Sequence, residues 1–382
     1  MPVSLLVITI DRLPAWIVPA YGATWVAMPA LDRLAARGVV FDGLLATSAD
    51  PRDAARSLLG GLAALPGGMA AVVTDDAAVT ECLAGGEVTV VSPAPPRQAG
   101  DEQDTNLGRL FAAAQATLAA GRQGVVWCHA SSLGHAWDAP DEFREAYLDP
   151  EDPPPPPGAA VPDLAVTAAT DPDLVTGLRH VFAGQLTLLD RCLGRLVAAA
   201  GDGCTILFAG LRGMPLGLHG HFGPRPAPPF GELVRLPAVL VDASGRMAGQ
   251  RFGGLVVPAD LGATVAAALG IKPAAAAQPW DGHDLGELFA TWSAPGRDRV
   301  ITATAEGVAV TTPGWRLVMP SATADGATRP MLFAQPDDCF ELCDVANRSA
   351  AVCDELRALA AAAHQDPAAW TKPLSAAAVA PA

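Results

Sequence analysis

One carboxylate stands alone at the end of the first strand-forming run. Ser4–Ile10 (SLLVITI) is apolar and β-branched, the composition of a buried strand, and it delivers Asp11 at its tip. A second apolar run, Gly124–Trp127 (GVVW), ends in Cys128-His129, and a third, Thr205–Ala209 (TILFA), leads into Leu211-Arg212. Carboxylate, thiol and imidazole are the groups of acid–base, nucleophilic and metal chemistry. The cysteine pattern argues against the thiol. The seven cysteines (82, 128, 192, 204, 339, 343 and 353) are scattered, odd in number and free of any C-x-x-C, so they make neither a disulfide framework nor a zinc site. Buried thiols in a reducing cytoplasm account for them. The lone histidines read first as satisfied or surface side chains.

These residues have to be positioned by alternating strands and helices. Met28–Gly38 reads as a short helix with Leu31, Leu34 and Ala35 on its apolar face, and Val39–Phe41 returns as a strand. Ala46–Gly61 is a loop entering a helix, Ala70–Thr74 and Val88–Val91 are strands, and Thr105–Ala120 is a helix. Leu174–Ala200 carries Leu178, Phe182, Leu186, Leu189, Leu193 and Leu196 at helical spacing. Leu236–Val241 is a strand and Asp260–Leu269 a helix. The alternation predicts an α/β fold, a mostly parallel sheet flanked by helices, over residues 1–295. Five consecutive prolines, Pro153–Pro157, mark residues 148–171 as an exposed loop with polyproline II character. From Arg297 the texture changes to short strands (Val300–Thr304, Val308–Thr312, Trp315–Met319), an antiparallel meander. With Phe340–Val345 and a helix at Ala350–Ala363 it forms a small C-terminal α+β subdomain over 296–370. Residues 371–382 are expected to be a flexible tail.

Of the 382 residues 51% are hydrophobic, enough for a large core, while the formal net charge is −15. That balance excludes the basic footprint needed for nucleic acid or an anionic membrane surface. No signal peptide or apolar run of membrane-spanning length is visible, so a cytoplasmic location is expected. The sequence leaves the oligomeric state open.

The motifs, taken in order, resemble the sulfatase family within the alkaline phosphatase superfamily. Ser4–Asp11, Tyr21-Gly22, Met28–Gly38 and Ala46–Gly61 follow that family's strand-Asp, Tyr-Gly, T-P-N-L-D-R-L-A-x-x-G and C-x-P-S-R-x-S-L-L-T-G opening. Trp127–His129 with Trp137–Pro140 resembles W-x-H-x-x-x-P-H-x-P-Y-x-P-P. Gln185–Leu196, Phe208–Gly220, Gly231–Val241, Trp280–Leu285, Gly314–Val318 and Glu341–Val345 resemble later family segments. The resemblance implies the sulfatase fold and, in active members, a formylglycine nucleophile beside a divalent cation, usually calcium, held by several oxygens.

Against that pattern this chain is degenerate. The nucleophile position falls on Pro51 or Arg52, depending on alignment, and neither side chain becomes formylglycine or acts as a Ser or Thr nucleophile. Thr47 and Ser48 match the residues before the motif. Of the metal ligands Asp11 survives, while the other positions hold Arg12, Leu211 and Arg212. His129, His135 and His219 are vestigial counterparts of family histidines, with Gly134 at one histidine position by direct count. The resemblance places Arg12, Arg212 and Arg56, with Arg52, around one pocket. Two readings follow: an arginine plugs the metal seat by pairing with Asp11, or the guanidiniums hold a sulfate or phosphate ester by forked hydrogen bonds. The sequence favours the plug, and with it a catalytically inactive pseudoenzyme, without formylglycine or cofactor, that binds an anionic ester or a protein partner. The alternative is an active sulfuric or phosphoric ester hydrolase with divergent ligands, which would need calcium. A third reading is a structural module that oligomerises through its prolines or Trp137.

Overall fold

The computed structural model describes residues 3–60, 69–82, 86–121, 124–270, 281–286, 296–321, 329–365 and 372–380. Eight strands form the main sheet: β1 (Val3–Asp11), β2 (Val39–Leu44), β3 (Met69–Thr74), β4 (Glu87–Val90), β5 (Gly124–Ala130), β7 (Thr205–Arg212), β9 (Ala238–Val241) and β10 (Gln250–Val256). Their order is β10-β2-β9-β7-β1-β5-β3-β4. The centre is parallel, β1 pairing with β5 and β7, and only β9 runs against its neighbours β2 and β7.

The apolar strands are buried on both faces because helices cover both. Helices α1 (Pro29–Arg37), α3 (Asn106–Ala119) and α5 (Pro172–Ala200) pack on one side, through Leu31, Phe111, Phe182 and Leu189 against Leu6, Ile8 and Ile10. Helices α2 (Pro51–Gly60) and α7 (Pro258–Ala268) pack on the other, through Leu58, Leu59 and Leu261 against Leu5, Val7 and Leu207. Proline at the first helical position starts α1, and Gly38 follows its last residue. Two of its orphaned N–H groups, those of Ala30 and Leu31, donate to the buried carboxylate of Asp190 on α5, both at 2.8 Å. Replacing Asp190 with alanine leaves both donors buried without an acceptor, and chemical denaturation should show a loss of about 1–3 kcal/mol.

The C-terminal meander is β11 (Val300–Thr304), β12 (Gly307–Thr311), β13 (Trp315–Pro320) and β14 (Met331–Ala334), antiparallel in that order. The helix Ala350–Gln365 covers it through Val352, Leu356 and Leu359. The segment Phe340–Val345 leads from the turn at 335–340 to that helix without regular secondary structure.

Strands β10 and β14 have no counterpart in the sequence reading. Adjacent glycines in QRFGGLV and the short MLFA mask them. The proline-rich loop is only partly exposed. Buried Arg144 donates to Pro156 O at 2.5 Å, Trp137 N donates to Ala159 O at 2.8 Å, and Leu164–Ala165 (β6) pairs with His221–Phe222 (β8). Trp137 itself is core, ringed by Phe182 and Phe222, so it offers no docking surface. Within the tail, Ser375 caps the turn Ala376–Val379 and Ala378 is buried. There Trp315 Nε1 donates to Ala377 O at 2.7 Å. Trp280 and residues 381–382 lie outside the described residues.

Candidate functional site

The carboxyl ends of parallel strands are where an α/β sheet assembles a site. Here β1 and β7 end together. Thr9 lies opposite Ala209 and Ile10 opposite Gly210, after which the register slips and sets Asp11 opposite Arg212. That one-residue irregularity turns Leu211 into the core against α2 and Arg212 towards Asp11. The two form a closed fork: Arg212 Nε donates to Asp11 Oδ1 at 3.0 Å and Nη2 to Oδ2 at 2.6 Å. The third nitrogen, Nη1, donates to Ala49 O at 3.2 Å, tying the loop before α2 to the same centre. Asp11 is 4% exposed, so the pair sits in low dielectric, where a bidentate fork is strongest.

Arg12 lies beside this pair with its Nε 3.8 Å from Asp11 Oδ2. Burial first, and then repulsion from Arg212, pushes its pKa down to about 10, with Asp11 opposing.

The other sequence candidates separate. Arg52 lies at the start of α2, where it pairs with Asp50 at 2.6 Å and with Glu81 at 3.8 Å. The hydrogen bond to Asp50 raises its pKa. Arg56 points into solvent and pairs with Asp53 at 3.0 Å. Pro51 opens the helix, and the Ser48 hydroxyl accepts the Asp50 N–H at 3.0 Å. Arg12, Ser48, Arg52 and Arg212 line one open cavity of about 720 Å³, and Arg56 is not among its lining residues. Arg225 and residues Ala303–Glu306, the end of β11 and the turn that follows it, complete its wall. Neither carries a sequence signal, because one sits in a proline-rich loop and the other arrives from the C-terminal subdomain.

The histidines go elsewhere. His129 is buried under the sheet's end in a chain from Trp127 Nε1 to Thr9 Oγ1 (2.8 Å) and from Thr9 Oγ1 to His129 Nδ1 (2.9 Å). Burial lowers its pKa against the pull of Asp75 and Asp11. Asp75 is held beside it by Ser131 N at 2.6 Å and by the Ser132 hydroxyl, a buried network the sequence did not reveal. His135 is exposed. His221 sits 3.5 Å from Asp163.

His219 joins the two parts of the chain. Its Nδ1 meets Glu232 Oε2 at 3.1 Å and its Nε2 meets the backbone oxygen of Glu341 at 3.2 Å, with the ring stacked on Phe230. Burial pushes the imidazolium pKa down, but Glu232 and Glu341 outweigh it and the pKa is raised above 6.5. The raised folded value means that this contribution is fully present below the unfolded pKa and lost as pH rises through the folded one. Wild-type stability should therefore fall as pH climbs above about 6.5. His219→Gln should flatten that part of a urea-denaturation pH series, and an unchanged slope would refute the assignment.

The cation implied by the family resemblance does not fit these residues. A hard divalent ion needs six or more oxygens. Of the matching positions only Asp11 brings a carboxylate, both its oxygens accept from Arg212, and a second guanidinium lies alongside. Among the described residues no three His, Cys, Asp or Glu side chains are grouped to hold a metal, and no helix is long and apolar enough to cross a membrane.

No family model matches the sequence, and no curated protein does. Solved structures match over nearly the full length. A phosphonate monoester hydrolase of Agrobacterium radiobacter superposes with TM-score 0.71 at 18% identity, covering 96% of each chain. A phosphonate monoester hydrolase from Silicibacter pomeroyi gives 0.69 at 16%, covering 95% of this chain and 94% of that one. A 2-O GAG sulfatase gives 0.71 at 15%, covering 98% and 97%.

Proposed function

We propose, from the premise that this chain has the fold of the sulfatases and phosphonate monoester hydrolases, that it does not hydrolyse such esters and acts by binding. One observation carries the reading: Arg212 closes both oxygens of Asp11 in a fork at 3.0 and 2.6 Å. A guanidinium there supplies the positive charge that a cation would otherwise bring. It cannot activate water or a hydroxyl as a metal does, because a guanidinium offers only N–H donors. The hydroxyl that lines the cavity on the α2 approach, that of Ser48, accepts a backbone N–H. No described histidine or carboxylate is bonded to that hydroxyl as a base would be.

An alternative, hydrolysis through divergent ligands, is what the named activities of the structural neighbours would suggest if carried over, but fold does not fix function. Assays of the purified full chain against 4-nitrophenyl sulfate, 4-nitrophenyl phosphate and an aryl phosphonate monoester, with added calcium, magnesium or manganese, separate the two. The proposal expects no release of nitrophenol above the rate in buffer. Metal-dependent turnover abolished by Asp11→Ala would establish the hydrolase instead. A reducing cytoplasm suits the seven cysteines, all of them free thiols.

A further inference from the structure

Arg12 is the one charged side chain at this centre whose cost the surrounding contacts leave unexplained. Its backbone is left-handed, φ 66°, a region that long side chains rarely enter. Its stem lies over Gly134, where an added Cβ would come within 3.1 Å of Arg12 Cγ. Its side chain is 12% exposed, yet no described residue accepts a hydrogen bond from its guanidinium. The closest anion is Asp11 at 3.8 Å, and Arg212 already occupies both of that carboxylate's oxygens. Two guanidiniums against one carboxylate leave one positive charge over. Backbone strain and an uncompensated, largely desolvated cation are features that structures retain at binding sites.

The other arginines lining the cavity are paired. Arg52 is paired with Asp50, and Arg225 with Asp163 at 3.1 Å. The excess at the centre formed by Asp11, Arg12 and Arg212 is therefore a single positive unit, and Asp50 and Glu306 on the cavity wall would repel a second negative charge on a ligand. The same cavity is also lined by the apolar residues Pro224, Pro226, Ala227 and Leu233.

We propose that Arg12 seats a singly charged tetrahedral oxyanion, held by its unused N–H groups without a metal, with the ligand's apolar body against these apolar residues. The ligand class is a sulfate monoester or a phosphodiester, and doubly charged phosphate monoesters are rejected. This deepens the non-hydrolytic reading and rests on it.

Isothermal titration of the full chain at pH 7.5 in EDTA tests it with three probes: 4-nitrophenyl sulfate, bis(4-nitrophenyl) phosphate and 4-nitrophenyl phosphate. The first two should bind at least tenfold more tightly than the third, and the tighter of them identifies the source. Arg12→Gln should weaken the preferred probe at least tenfold, while Arg56→Gln, outside the cavity, should not. Arg12→Gly should lose binding but melt no lower than wild type, because glycine adopts this backbone freely, and that separates lost binding from misfolding. Equal affinity in Arg12→Gln, a preference for the dianion, or no binding at all would overturn the seat. Release of nitrophenol would overturn the non-hydrolytic reading, and the Arg12→Gln comparison would still judge the seat on its own.

Discussion

Asp11→Ala should destabilise the protein by about 3–5 kcal/mol, read from urea unfolding in EDTA, because it strands two guanidiniums at a buried centre with no anion. The fork from Arg212 disappears, Arg12 loses its nearest counter-charge at 3.8 Å, and the two cations then repel each other. The sign of this effect separates the two accounts of the site. If Asp11 were one of several carboxylates gathered for a metal, removing it from the metal-free protein would relieve repulsion and leave stability unchanged or higher. A conservative companion, Arg212→Lys, keeps the charge but loses the planar fork and the bond to Ala49 O, and should cost less, about 1–3 kcal/mol.

Arg316→Met should cost a similar amount, about 3–5 kcal/mol, at the junction of the two parts of the chain. Arg316 is fully buried on β13, with its Nε 2.7 Å from Glu341 Oε1 and both side chains 0% exposed. Its other nitrogens reach the hydroxyl of Thr311, its cross-strand neighbour, and Pro229 O in the main domain. Removing the guanidinium leaves a buried carboxylate whose remaining partner is Gly231 N at 2.9 Å. Adding Glu341→Gln to Arg316→Met should restore a large part of the loss, since a neutral amide still accepts from Gly231 without carrying an unpaired charge. Strict additivity of the two variants would show that the ion pair is not the source of the cost.

Much of the architecture was legible because it rests on local pattern. The apolar runs of β1, β5 and β7 and the helical spacing of α5 permit few other readings. The adjacency of the strand ends carrying Asp11 and Arg212 came from the family resemblance rather than from the alternation of elements, and the strand register agrees with it. Reversal of β9 was not legible, because LPAVLV reads the same in either direction along a sheet. Which arginine takes Asp11 was also beyond the sequence. It depends on a register slip between Ile10 and Asp11, a matter of backbone geometry rather than composition. The two readings weighed for the arginines divide between them, with Arg212 in the position of the plug and Arg12 left over. Arg56 looked equivalent in the motif, but one turn of α2 carries it to Asp53 in solvent. Arg316 and Glu341 gave no signal at all. A charged residue in WRLVM reads as a solvent-facing position, and only the docking of β13 against Phe230 and Phe333 buries it.

Calcium titration followed by thermal unfolding tests the central claim, that guanidinium and not a metal ion neutralises Asp11. The account predicts superimposable melting curves in EDTA and in millimolar calcium, with no stoichiometric ion retained after dialysis. A rise in melting temperature that saturates with one bound calcium per chain, and that vanishes in Asp11→Ala, would contradict it.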